Sequence, residues 1–187
     1  MVYRDIPLEE ILPSVRRTGL SQVELSFTEG YVRFDEMEAF GSAASARVKS
    51  LLADNGISCR SVAAHIDLGV SDAYEKMMRR LEFSSEIGAD IVITNSAQVD
   101  KEEALVSLLE RLSKQIAGTE MMIALENPGD GTGNLLSDGK AGAEFLRRHQ
   151  IPRIALNFDC NNAFSYNQGR YNVIEDADAA LPCSASI

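Results

Sequence analysis

The sequence predicts an α/β fold, an incomplete (β/α)8 barrel of about five to six β/α units with parallel strands and outer helices. Three observations predict it. Short apolar runs alternate with amphipathic segments along the chain. The runs beginning at Ser58, Asp90, Met121 and Arg153 recur about every 31 residues, the length of a strand plus a crossover helix. Within the runs one parity is apolar and the other is small or polar, and the polar residues gather at the C-terminal ends.

The elements follow in order. "LEEILPSVRRTG" (8–19) reads as an amphipathic helix closing on Gly19, with Pro13 a possible kink point. "QVELSF" (22–27) is the first clear strand. "SAASARVKSLLADNG" (42–56) is a helix closing on Gly56. "SCRSVAAHIDL" (58–68) is a strand. "SDAYEKMMRRLEFSSEIG" (71–88) opens with Ser71 as expected N-cap and ends at Gly88. "DIVITNS" (90–96) is a strand, and "KEEALVSLLERLSKQIAG" (101–118) is a helix with an acidic start. "MMIALEN" (121–127) and "RIALNFD" (153–159) are strands. Between them "KAGAEFLRRH" (140–149) places its bases in the last helical turn, where they suit the helix dipole. Met1-Val2-Tyr3 reads as the tail of an earlier strand, and "SASI" (184–187) as the start of a later one. The whole chain, 1–187, is expected to form a single partial barrel domain.

Parity separates a barrel from a doubly wound sheet. Val23 and Leu25, Ile91 and Ile93, Ile123 and Leu125, Leu156 and Phe158 form the apolar set. Glu24 and Ser26, Ser61, Ala63 and His65, Thr94 and Ser96, Ala124 and Glu126, Asn157 and Asp159 form the other. A doubly wound sheet is covered by helices on both faces and is apolar on both. A barrel has a polar mouth at the strand C-termini. No GxGxxG follows a strand and no GxxxxGK[ST] occurs, so the nucleotide-binding signals are missing.

Composition narrows the function classes. The chain has 187 residues, 45% hydrophobic, enough for one sizeable core. A formal charge of −10 and a pI of about 4.7 disfavour nucleic acid as a partner. No apolar run approaches the ~20 residues of a membrane span, so no membrane partner is expected. The N-terminus lacks the apolar core of a signal peptide, and the three cysteines form no CxxC. The expected location is cytoplasmic.

The chemistry concentrates in two strand ends. "IALENPGDG" (123–131) is an apolar run ending on Glu126, and "IALNFDCNNAF" (154–164) repeats the pattern with Asp159. Two carboxylates at equivalent strand ends suit a divalent cation, Mn2+ foremost, with Zn2+, Mg2+ or Co2+ as the other candidates. The competing reading is that each acid caps the helix after its strand or pairs with an arginine. His65 ends its strand on the polar parity and is a candidate metal or sugar contact, against a satisfied core histidine. Glu24 is read either as a substrate contact or as half of a buried ion pair. Asn127 and Asn162 suit polyol recognition, although asparagine also favours turns. The glycine-rich "GDGTGNLLSDG" (129–139) reads as a substrate-side loop. His149 reads as a helix-dipole partner. Arg79-Arg80 and Arg147-Arg148 read as solvated helix faces.

Taken together, "VELSF", "AAHIDL", "IALENPGDGTGNLLSDG" and "IALNFDCNNAFSY" resemble the xylose isomerase-like TIM-barrel superfamily, over roughly residues 7–187. That group contains sugar isomerases, epimerases and dehydratases, and also class II apurinic-site endonucleases. The resemblance implies an incomplete TIM barrel and metal-dependent proton transfer on a sugar or polyol through an enediolate. It implies a metal held by a Glu, an Asp, a His and a second Glu from four successive strands. The first Glu falls on Glu126, which is also the expected catalytic acid–base, and the Asp on Asp159. His65 falls on a histidine that neighbours the substrate or the metal, and Glu24, Asn127 and Asn162 are the other expected substrate contacts. The partner is then a small sugar or sugar phosphate. The last two ligands have no match, and Ile187 stands where the histidine is due. The chain alone is therefore expected to bind metal weakly. The alternative is an inactive barrel fragment that self-associates, a homo-oligomer formed through open strand edges. The endonuclease branch is disfavoured. Asn162 and "TNSA" stand where its pattern carries histidines, and the chain has two histidines in all.

Overall fold

The computed structural model describes residues 6–28, 34–128, 133–167, 169–170 and 172–186. Met1-Val2-Tyr3, residues 129–132 of the glycine-rich stretch and Ile187 lie outside them. Helix α1 (Leu8–Arg17) leads into β1 (Gln22–Ser26), then α2 (Glu36–Ala39) and α3 (Ser42–Asp54). The units β2 (Ser58–Ala63) with α4 (Ala73–Ile87), β3 (Ile91–Asn95) with α5 (Glu102–Gln115), and β4 (Met122–Glu126) with α6 (Gly139–His149) follow. The chain continues through β5 (Ile154–Asn157), α7 (Cys160–Tyr166), α8 (Val173–Ala180) and β6 (Ser184–Ser186).

The six strands form one parallel sheet in the order β1-β2-β3-β4-β5-β6. Order and sequence coincide, so every crossover steps the same way. A doubly wound sheet reverses its winding at a switch point, and this one does not. Among the described residues β1 and β6 do not pair with each other, so the sheet keeps two edges.

One face of the sheet carries the main core. Val62, Val92, Ile123, Leu125, Leu156 and Phe158 pack there with Leu81, Leu105, Leu109, Leu112 and Phe145 of the helices. The other face is the barrel interior, and its buried floor is Ala63, Ile91, Ile93 and Ala124. This corrects the parity read for β3. Register aligns Ile93 with Ala63 on one side and Ala124 on the other, so Ile91 and Ile93 point inward. Thr94 and Ser96 fall on the opposite parity. Thr94 is fully buried and its hydroxyl bonds the backbone N–H and carbonyl of Ile66. The inner face becomes polar only at the strand C-termini, where Asn95, Glu126 and Asn157 share one register level.

Local signals set the helix ends. Gly88 closes α4 at φ 87°, and the Ala89 N–H returns to the Ser84 carbonyl at 2.8 Å, a left-handed cap that favours glycine. The start of α4 differs from the sequence reading. The helix begins at Ala73, and its N-cap is Asp72 rather than Ser71. The N-terminus of α6 has two acids. Asp138 accepts from Ala141 N, and the buried Asp176 of α8 accepts from Gly139 N and Lys140 N at 2.9 and 2.8 Å. A Cβ at Gly139 would lie 2.7 Å from the Asp176 carbonyl oxygen, so this contact requires glycine.

Arg80 is the second correction. It was expected on a solvated helix face, but its side chain is 1% exposed. Its guanidinium forms a two-point pair with Glu36, donates to the carbonyls of Ala64 and Lys76, and lies over the Phe40 ring. The helix-end reading of His149 gains a specific partner, Glu102, at 2.8 Å. All three cysteines are free thiols. Among the described residues no helix is long and apolar enough to cross a membrane.

Candidate active site

Glu126 is the last residue of β4 and points into the barrel side of the sheet. Its Oε2 accepts from Asn157 Nδ2 at 2.6 Å and lies 3.3 Å from His65 Nε2. Its Oε1 accepts a longer bond from Asn162 Nδ2, 3.4 Å. The side chain is 15% exposed. Burial pushes its pKa up to about 7, the negative charges of Asp159 and then Glu24 add to the rise, and the Asn157 bond opposes it. A carboxyl in that range exchanges protons near neutral pH.

His65 follows β2 and is also mostly buried. Its Nδ1 lies 3.5 Å from Thr28 Oγ1, which in turn lies 3.1 Å from Ser26 Oγ. Burial, then the charge of Arg80, lowers its pKa to about 4, so the imidazole is neutral at neutral pH. A neutral ring offers one donor and one acceptor.

Asp159 does cap the helix after its strand: Oδ1 accepts from the Asn162 N–H of α7 at 2.8 Å. Asn127 is buried, and its amide bonds the backbone of Asp159 reciprocally. Nδ2 donates to Asp159 O at 3.1 Å, and Oδ1 accepts from Asp159 N at 2.8 Å. Asn127 thus fixes the end of β5 against the end of β4, and its amide faces protein. The Asn162 amide spans Glu126 Oε1 and Asn127 O. Glu24 is exposed on the edge strand β1 and accepts from Ser61 Oγ at 2.5 Å, with no ion-pair partner among the described residues.

Of the residues singled out in the sequence, the structure brings Glu126, Asp159, His65, Asn127 and Asn162 together and leaves Glu24 at the margin. Asn157, Thr28 and Ser26 join the site without having been singled out for it. Asn157 was legible as a polar-parity residue, but its bond to Glu126 depends on the β4–β5 register. Thr28 lies past the end of β1, where strand parity no longer applies.

Glu126 and Asp159 suit a divalent ion as two oxygen donors. Burial, and then the charge of Asp159, disfavour the ionised form of Glu126, and a cation would relieve both. Among the described residues no group of three His, Cys, Asp or Glu side chains is placed to hold a metal.

The family model described as xylose isomerase-like TIM barrel matches residues 12–182. The chain belongs to the xylose isomerase-like TIM barrel family. Solved structures agree with this incomplete TIM barrel. A xylose isomerase-like TIM barrel protein from Mycobacterium smegmatis, in complex with magnesium, aligns with a TM-score of 0.75 at 16% identity, over 96% of this chain and 66% of that one. The probable 3-DHS dehydratase from Bacillus anthracis gives 0.71 at 15%, over 97% and 67%. The 3-keto-D-glucoside 4-epimerase from E. coli gives 0.74 at 11%, over 100% and 74%. The chain thus spans about two thirds of the length of the first two. At these identities the likeness is one of fold. No curated protein matches by sequence. In a xylose isomerase-like barrel the C-terminal ends of the strands form the active-site face, and Glu126 ends a strand there.

Proposed function

We propose that the chain carries a metal-dependent isomerase or epimerase-type site that moves a proton on a sugar or polyol through an enediolate. The observation that carries this reading is Glu126. It is a buried carboxyl with a pKa near 7, at the C-terminal end of a barrel strand, beside a second carboxylate. The likeness to a 3-keto-D-glucoside 4-epimerase supports the reaction class, and the likeness to a magnesium-bound barrel supports the ion.

Glu126 and Asp159 would hold the ion, Mn2+ foremost and otherwise Mg2+, Co2+ or Zn2+. When bound, such an ion supplies Lewis-acid stabilisation to the adjacent oxygens of the sugar. Glu126 takes a proton from the carbon beside the carbonyl and returns it; burial raises its metal-free pKa, which offsets part of the lowering that a bound cation would impose. Asn157 holds Oε2 and so fixes which carboxylate oxygen faces the substrate. Neutral His65 donates to or accepts from a sugar hydroxyl, and Asn162 adds an amide. Asn127 orients Asp159 through its backbone. Glu24 and Ser61 supply a hydroxyl-binding pair at the β1 margin.

The test is solvent exchange. The protein is incubated with Mn2+ and D-fructose in D2O, and deuterium on the carbons beside the carbonyl is followed by NMR. Incorporation that depends on Mn2+ and is abolished by Glu126→Gln supports the reading. Absence of incorporation, or equal incorporation by Glu126→Gln, contradicts it.

The two sheet edges favour a second reading, in which copies of the chain pair through β1 or β6. Light scattering across a dilution series tests it. A monodisperse monomer at every concentration contradicts it.

A further inference from the structure

The chain leaves the β-ladder just before His65. The Ala63 carbonyl still accepts from Phe27 N and the Ala64 N–H still donates to Ile93 O. Past that point side chains take over. Arg80 Nε donates to the Ala64 carbonyl at 3.1 Å, and Thr94 Oγ1 accepts from Ile66 N at 3.2 Å. The peptide bond entering His65 is therefore held by a buried guanidinium.

The same guanidinium also engages α2. It pairs with Glu36 of α2 and lies 4.4 Å from the centroid of Phe40, at the end of α2. Phe40 packs on Phe27 at 4.9 Å between ring centroids, and Phe27 precedes Thr28, the residue facing His65 Nδ1. We propose that Arg80 is a positioning residue for His65, clamping the Ala64–His65 peptide to Glu36 and Phe40 at the two ends of α2 so that the imidazole meets Glu126. This rests on His65 being a substrate-facing group of the proposed site.

The physical chemistry favours a geometric role. A buried ion pair adds little over well-packed apolar groups, because both charges lose their hydration. What a guanidinium does add is a rigid planar fork of five donors, able to fix several acceptors at once. Here it fixes Ala64 O, Lys76 O and the Glu36 carboxylate. A lysine ammonium keeps the charge but cannot reproduce that fork.

The chain has two histidines, so its imidazole 15N spectrum is simple, and His149, bound to Glu102, serves as an internal control. In metal-free Arg80→Lys, the His65 resonances are expected to shift and broaden while those of His149 stay in place. The charge-swapped pair Arg80→Glu with Glu36→Arg is expected to recover thermal stability relative to Arg80→Glu alone, with His65 still displaced, because Ala64 O has lost its donor. A purely structural role predicts that His65 returns along with stability. An unaltered His65 spectrum in folded Arg80→Lys overturns the proposal. Should that variant not fold, Glu36→Gln loosens the fork, and an unaltered His65 spectrum there overturns it equally. Addition of Mn2+ and D-fructose tests the parent reading separately. An unresponsive wild-type His65 contradicts its substrate-facing role and leaves the clamp standing.

Discussion

His65 Nε2 lies 3.3 Å from Glu126 Oε2, and folding drives the two groups to neutrality from opposite directions. Glu126 rises from 4.5 to about 7, and His65 falls from 6.5 to about 4. Between pH 4.5 and pH 6.5 the folded pair binds one proton, on Glu126, and the unfolded pair also binds one, on His65. Equal proton counts mean that the pair gives stability almost no slope there.

Each single variant should expose the hidden slope of the other partner. With Glu126→Gln only His65 titrates. Its folded pKa is depressed, so stability rises with pH from about 4 to 6.5. With His65→Asn only Glu126 titrates. Its folded pKa is raised, so stability falls as pH rises from 4.5 to about 7. Each slope amounts to roughly 3 kcal/mol at most, from 1.36 kcal/mol per pKa unit. Urea unfolding across this range checks both, and parallel profiles for wild type and the two variants contradict the pairing.

The cap that Asp159 places on α7 can be separated from its proposed part in ion binding. Asp159→Asn keeps an oxygen that can accept from Asn162 N, so the cap on α7 survives. Its metal-free stability should match wild type within about 0.5 kcal/mol, whereas Asp159→Ala loses the cap and about 1 kcal/mol. Chemical unfolding of the three proteins measures this. Equal losses for Asn and Ala would show that the carboxylate charge, not the cap, stabilises the metal-free fold.

Asn127→Ala removes both bonds to the Asp159 backbone and leaves buried groups unpaired. A loss of about 2 kcal/mol is expected in unfolding experiments. A neutral result would return Asn127 to the substrate-contact role read from the sequence.

Asp176→Ala orphans the N–H groups of Gly139 and Lys140 at the start of α6. The expected cost is about 2 kcal/mol or more. Hydrogen exchange at these two amides should accelerate ahead of the α6 interior. Protection unchanged from wild type would contradict the role of Asp176 at this helix start.

The strand rhythm and the acid ending β4 were legible because apolar runs and terminal charges are local signals, whereas β5 ends on Asn157, level with Glu126, and Asp159 lies two residues past it as the cap of α7. The β3 parity was not. Ile91 and Ile93 are as apolar as any core residue, and only register against Ala63 and Ala124 shows that they floor the interior. Arg80 was misread because a charged residue beside Arg79 on a helix has every local mark of exposure. Its burial depends on Glu36, Phe40 and the Ala64 carbonyl, from elements far along the chain. Of the two readings of Asp159, the cap on α7 is present through Oδ1, and ligation is left to metal-binding experiments.

The central claim is that Glu126 and Asp159 form a divalent-ion site, and Mn2+ titration followed by electron paramagnetic resonance tests it most directly. The account predicts saturable binding by the wild type. It predicts affinity lower by about tenfold or more in both Glu126→Gln and Asp159→Asn, since loss even of a ligand's outer partner typically costs that much. No binding by the wild type, or binding unchanged in both variants, would contradict it.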